Sequence, residues 1–266
     1  MFTIIGERIN MTRKKIREEI WARNADFVAR EAQKQVKAGA THIDLNAGGD
    51  PSKEVGDMVW LTETVSQITE LPFVFDSANP AALKEGLERC NRPGTIINSI
   101  TGEQDRLERI VPLVQEYNTG VVALTMDDSG MPEDFEGRVT ITRNLAKKLQ
   151  DAGIALDRVY FDHLVRPAST NPGQAPHILD AIRTTRTEFP EAHIVLGLSN
   201  ISFGVPRRNN LNRAFLAMLV AAGCDGMIID PCEPGMMNTL VSAQAVLGLD
   251  EYCMAYLTAY RGGKLE

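Results

Sequence analysis

Carboxylate and carboxamide side chains recur along this chain at the ends of short apolar runs. In order they are Glu7, Arg8 and Asn10; Asp44 and Asn46; Asp76 and Ser77; Asn98 and Ser99; Thr125 and Asp127; Asp162 and His163; Ser199 and Asn200; and Asp230. A carboxylate accepts two parallel hydrogen bonds, and a carboxamide donates and accepts side by side. A ring of such groups suits a flat, neutral heterocycle whose edge alternates donors with acceptors. Pterins and purines both present that edge, and composition does not choose between them. Turns and helix caps supply some Asp and Asn unaided. Nearly every run ending this way exceeds that background.

Other chemistries lack their residues. His42, His163, His177 and His193 form no HxH or HExxH pair, so a catalytic metal or a hydrolase triad is not expected. Only His163 falls near the strand ends, where it serves either a supporting hydrogen bond or packing. No lysine directly follows an apolar run, against a Schiff-base mechanism. Gly197 stands in Leu-Gly-Leu-Ser-Asn, not in a phosphate cradle, and Gly48-Gly49 reads as a tight turn. Cys90, Cys224, Cys232 and Cys253 form no CxxC pair and read as inert thiols of a reducing cytosol. A net charge of −7, from 35 acidic and 28 basic residues, disfavours nucleic acid as a partner.

What could position such a ring? The apolar runs are Thr3–Ile5, His42–Leu45, Pro72–Phe75, Thr95–Ile97, Val121–Leu124, Val159–Phe161, Ile194–Leu196 and Met227–Ile229, spaced as βα units require. Amphipathic stretches lie between them, among them Ala25–Ala38, Asp57–Ile68, Gln104–Glu116 and Arg213–Ala222. Eight strands alternating with about eight helices over 266 residues predict a closed (β/α)8 barrel, with chemistry at the strand C-termini. The turn after the first strand, Gly6-Glu7-Arg8-Ile9-Asn10, lacks the GxGxxG of a doubly wound sheet. No linker divides the chain, so one domain is expected over residues 1–266, with Arg166 to Pro176 as a long loop at the mouth. There is no signal-peptide core and no run of membrane-spanning length, which predicts a cytoplasmic protein without a membrane partner.

Six segments fall in order at successive strand ends: Gly6-Glu7-Arg8-Ile9-Asn10, Ile43-Asp44-Leu45-Asn46, Phe75-Asp76-Ser77, Ile97-Asn98-Ser99, Leu124-Thr125-Met126 and Leu196 to Ser202. With Asn209 to Phe215 (NNLNRAF), they resemble the methyltetrahydrofolate:corrinoid methyltransferases, including the folate domain of cobalamin-dependent methionine synthase. The resemblance runs from residue 2 to about residue 255. It implies a single (β/α)8 TIM barrel of the pterin-binding type. The implied reaction moves a methyl group between N5 of tetrahydrofolate and the cobalt of a corrinoid (cobalamin). That corrinoid rides on a partner protein docking at the barrel mouth. Tetrahydrofolate and 5-methyltetrahydrofolate are then substrates, and a homodimer is expected.

Carried over by position, Asp76, Asn98 and Asp162 bind the pterin, Asn200 lies near the N5 face, and Asp44, Asn46 and Glu7 line the pocket. Asn98, Asn200 and Asp162 are the residues implied in catalysis. Two stretches depart from the family pattern. One is Thr125-Met126-Asp127-Asp128-Ser129-Gly130-Met131-Pro132; the other is Phe203, where relatives often carry Gln. Two alternatives stay open: a dihydropteroate synthase-like enzyme and a folate-binding module without catalysis. The first strand lacks the Asn-x-Thr-Pro-Asp-Ser-Phe turn of the former. The same residues would serve carbon fixation through acetyl-CoA, ether O-demethylation, or methylamine and betaine breakdown, in either direction.

Overall fold

The computed structural model describes residues 2–233 and 235–265. Its strands are β1 (Thr3–Gly6), β2 (His42–Asn46), β3 (Phe73–Asp76), β4 (Ile96–Ile100), β5 (Gly120–Leu124), β6 (Val159–Asp162), β7 (His193–Gly197) and β8 (Gly226–Ile229). All pair in parallel, and β1 closes on β8. Each falls on an apolar run expected to form one. β-Branched and aromatic residues fill them, as a pleated surface buried on both faces requires.

Among the described residues ten α-helices surround the barrel: α1 (Lys14–Trp21), α2 (Ala25–Ala38), α3 (Glu54–Ser66), α4 (Pro80–Arg89), α5 (Gln104–Glu116), α6 (Phe135–Asp151), α7 (Gln174–Glu188), α8 (Arg208–Ala222), α9 (Met236–Val246) and α10 (Met254–Arg261). Local chemistry sets several ends. Asn24, Asn79 and Asp134 accept N–H groups of the first turns of α2, α4 and α6, and Pro80 opens α4. The left-handed residues Gly39 and Gly223 follow α2 and α8. α2 and α5 match their expected bounds. α8 starts five residues before the expected Arg213, because its first turns are polar and carry no apolar period. Pro176, expected in the loop, occupies the first turn of α7, where its missing N–H is harmless.

The barrel's two faces hold separate cores. Ile5, Val74, Ile96, Val122 and Val195 fill the interior, with Leu124, Tyr160 and Ile228 against them. The outward residues pack under the helices in two larger clusters, one over β2 to β6 and one over β7 and β8. On β3, β4 and β6 the inner core stops short of the strand C-termini. Polar residues begin there.

Candidate active site

Side chains alternate along a strand, so two residues beyond an inward apolar residue the chain points inward again. Glu7 follows Ile5 by two, Asp76 follows Val74, Asn98 follows Ile96 and Asp162 follows Tyr160. Asp44 pairs with Val74 and Asn46 with Asp76, so both share that face. Asp76 pairs in turn with Asn98. Asn46, Asp76 and Asn98 therefore stand in one row on three neighbouring strands, about 4.8 Å apart. Register alone brings six of the seven expected residues to one mouth.

Within that row, Asn46 Nδ2 donates to Asp76 Oδ2 at 2.9 Å, while its Oδ1 accepts the Gly48 N–H at 3.1 Å. The second bond fixes which way the amide faces. Asp44 lies deeper, 1% exposed, hydrogen-bonded to the Asn98 side chain, and its Oδ1 has no partner. An orphaned buried acceptor is costly unless a donor arrives. Burial, then the neighbouring Asp76 and Glu7 charges, holds Asp44 well above the usual carboxylate range. Asp76 is also pushed up by burial, against the Asn46 bond and the Arg106 charge. Glu7 rises by burial, opposed by Arg13 at 3.0 Å. Asp162 is pushed up to about 6 by burial, although the N–H groups of Leu164 and Gly197 favour its ionised form. The Leu164 N–H sits 2.7 Å from its Oδ1.

Asn200 comes from beyond the strands, in a single 3₁₀ turn over Leu198–Ser202, and is exposed. Its Nδ2 lies 3.4 Å from where a Cβ on Gly197 would stand. That glycine also donates its N–H to Asp162, so Asn200 joins the mouth beside β6 and β7.

Several strand-end residues turn elsewhere. Arg8 faces outward to Glu31 and reaches Asp230 Oδ2 at 2.7 Å, and Asp230 also caps the Cys232 N–H. Ser77 Oγ donates to Glu54 of α3. Asp127 closes its own turn on Ser129. His163 is buried behind the barrel, its Nε2 3.0 Å from Thr185 Oγ1 on α7, and burial lowers its pKa to about 3. It packs β6 against a helix and stays clear of the mouth.

Two arginines hold the site and gave no signal in the sequence. Arg106 of α5 donates to the carbonyls of Ser99 (3.1 Å), Ala78 (2.7 Å) and Ser77 (3.3 Å), tying the loops after β3 and β4. Arg138 of α6 is fully buried and bonds His163 O, Asp134 O and Gln174 Oε1. A mouth cavity of 180 Å³ opens over β1, β7 and β8, lined by Glu7, Arg13, Ser199, Arg208 and Asn212 among others. A wider groove of 750 Å³ runs between α8 and α9, outside the barrel and without the buried carboxylates. Among the described residues, no three His, Cys, Asp or Glu side chains gather as metal ligands. The arrangement offers acceptors and carboxamides to a planar, donor-rich ring.

A family model described as "Pterin binding enzyme" matches residues 6–230. The chain is 32% identical over 264 residues to "Methylcorrinoid:tetrahydrofolate methyltransferase" of Eubacterium limosum, covering 98% of this chain and 97% of that protein. It is 30% identical over 264 residues to "Methionine synthase" of Mycobacterium leprae (strain TN), covering 93% of this chain and 22% of that much longer protein. Among solved structures, a dihydropteroate synthase from Coxiella burnetii in complex with pteroic acid has a TM-score of 0.72 at 12% identity, with 94% of both chains covered. The Vibrio fischeri ES114 enzyme gives 0.71 at 17% identity, covering 92% of this chain and 93% of that one. At those identities the structures share the fold.

Proposed function

The chain belongs to the pterin-binding enzymes, and on that premise we propose that it moves a methyl group between N5 of tetrahydrofolate and the cobalt of a corrinoid protein. The observation that carries this reading is the near end-to-end match with the Eubacterium limosum protein of that name. The inward polar ring at the mouth supports it. Dihydropteroate synthases are relatives by fold, and the Gly6-to-Asn10 turn lacks their signature.

In this reading Asp76, steadied by Asn46, accepts from the pterin 2-amino group and the adjacent ring N–H, and Asp162 orients the ring from the other side. The orphaned Oδ1 of Asp44 fits a donor-bearing substrate edge. A methyl on N5 leaves poorly unless N5 carries a proton, because the leaving nitrogen would otherwise be an anion. Asn98 cannot supply that proton. Its carboxamide, held from below by Asp44, can strengthen its hydrogen bond as charge changes at N5, and Asn200 closes the same edge. Glu7 lines the pocket opposite. The corrinoid cobalt supplies the centre that takes or gives the methyl group. In this reading the corrinoid rides on a partner protein that docks at the mouth, as the name of the Eubacterium limosum relative suggests.

No helix among the described residues is long and apolar enough to cross a membrane. The reading also places the protein in the cytoplasm as a homodimer. The direct test is methyl transfer from 5-methyltetrahydrofolate to cob(I)alamin, followed by absorbance. Turnover is expected. Tight folate binding without transfer to free or protein-bound corrinoid would reduce the chain to a binding module. Asp76→Asn should weaken folate binding by about 1–3 kcal/mol, since one pterin donor loses its acceptor. Calorimetric titration with unchanged affinity would remove Asp76 from the site.

A further inference from the structure

The pterin site proposed above leaves one conspicuous side chain at the mouth unused. Phe203 closes the 3₁₀ turn that carries Asn200. Its N–H donates to Asn200 O at 3.1 Å, and its carbonyl accepts from Ser169 Oγ at 3.3 Å. Its neighbours Ile201 and Ser202 are buried, yet Phe203 is 65% exposed. Among the described residues, eight of the twelve exposed large hydrophobic side chains fall between Val246 and Tyr260, and Phe203 alone lies in a loop leaving a barrel strand. This ring does not dangle. The Arg208 guanidinium stands 6.0 Å from its centroid, itself fixed by Ser202 Oγ at 3.0 Å and Ser199 O at 2.5 Å. A cation held over one face of an aromatic ring orients it and leaves the other face free for a second ring.

We propose that Phe203 is the platform on which the p-aminobenzoyl ring of the folate stacks, so that the site selects folates over bare pterins. The proposal rests on the folate reading given above. If the pterin lies among Asp76, Asn98 and Asp162, its substituent must leave through the mouth. In a reduced folate the benzoyl ring hangs by a two-atom bridge from the carbon next to N5. Three residues of 3₁₀ helix rise about 6 Å, which is the offset from Asn200 to Phe203. A residue at the N5 edge thus places the Phe203 ring one short bridge away. Offset stacking of two aromatic rings is the favoured use of such a face. The tail ends in carboxylates, which suits the cation behind the ring.

The experiment titrates wild type, Phe203→Ala, Phe203→Gln and Phe203→Tyr calorimetrically with 5-methyltetrahydrofolate and with 5,6-dimethyltetrahydropterin, which lacks the tail. Thermal unfolding of each preparation verifies that the variants are folded. Wild type should favour the folate. The Ala and Gln variants should lose about tenfold in folate affinity while holding the tail-less pterin within about twofold, and Tyr should restore the preference. Equal loss for both ligands, or loss for neither, overturns the proposal. So does an unchanged folate affinity with a raised KM for the corrinoid protein, which would make Phe203 a docking contact. A wild type that binds neither probe ends the folate reading itself; one that binds both without discriminating ends this proposal alone.

Discussion

Asp162 is an expensive residue for the fold to keep. Its pKa of about 6 lies above the ordinary 3.8, and that difference corresponds to about 3 kcal/mol. The folded form holds its proton where the unfolded chain has already lost it, so this group stabilises most below about pH 4. That contribution drains away as pH rises to about 6. Asp162→Asn removes the burden while keeping an acceptor for the Leu164 N–H. The variant should melt higher than wild type at pH 7–8, and the gap should shrink toward pH 4. Folate binding should fall in the same variant. Paired melting curves across that range check it, and a constant gap would mean that burial does not raise this carboxyl. Asn98 makes the complementary case, where rate should separate from affinity. Asn98→Ala should lower kcat about 10²–10³-fold while weakening folate binding far less, because its bond strengthens only as N5 changes charge. Stopped-flow transfer with folate titration on one preparation decides. Equal losses would indicate uniform binding, and an intact rate in a folded variant would leave Asn98 as a turn residue.

At the scale of elements, the site depends on arginines that reach strand ends from the helices behind. Arg138 is the extreme example: it is fully buried, and it bonds two carbonyls and the Gln174 amide but no carboxylate. Burial, with Arg166 nearby, lowers its pKa, yet a guanidinium remains charged and every lost bond leaves a buried partner empty. Arg138→Met should cost about 1–3 kcal/mol for each acceptor it leaves buried and unpaired, and loosen the segment just after Asp162. Chemical denaturation and folate titration would measure both; a shift below 1 kcal/mol would contradict the role. No pattern in the sequence marks this residue, since an arginine on an amphipathic helix reads as solvent-facing. The inward ring was legible because it stands at strand ends. Eight apolar runs mark the strand ends on which Glu7, Asp44, Asn46, Asp76, Asn98 and Asp162 stand, the family resemblance singled these six out, and the parity of the folded strands shows them facing one way. α1 and α10 escaped for the opposite reason, because they are short, join no strand and need tertiary contacts to form. His163 was ambiguous at the level of type and was settled by its outward parity.

The whole molecule carries a second asymmetry, in its apolar surface. From Met236 through Gly248 the chain holds no charged residue, nor does it from Met254 through Tyr260. α10 buries none of its residues, and Val246, Leu249, Tyr252 and Tyr260 are each more than half exposed. A helix apolar on every side is stable only when something covers it. A stable dimer buries about 800 Å² on each partner, and eight large side chains presenting from a third to most of their surface reach that order. We expect the proposed homodimer to use this C-terminal face. A two-fold axis makes the patch self-complementary, so one charge placed in it is buried twice. Leu249→Lys with Tyr252→Glu should convert a dimer of twice 29.3 kDa into a monomer in sedimentation, with transfer per chain nearly unchanged because neither residue lines the mouth cavity. Wild type sedimenting as a 29.3 kDa monomer at micromolar concentration would reject the dimer. A dimer that survives both charges would move the interface to another face.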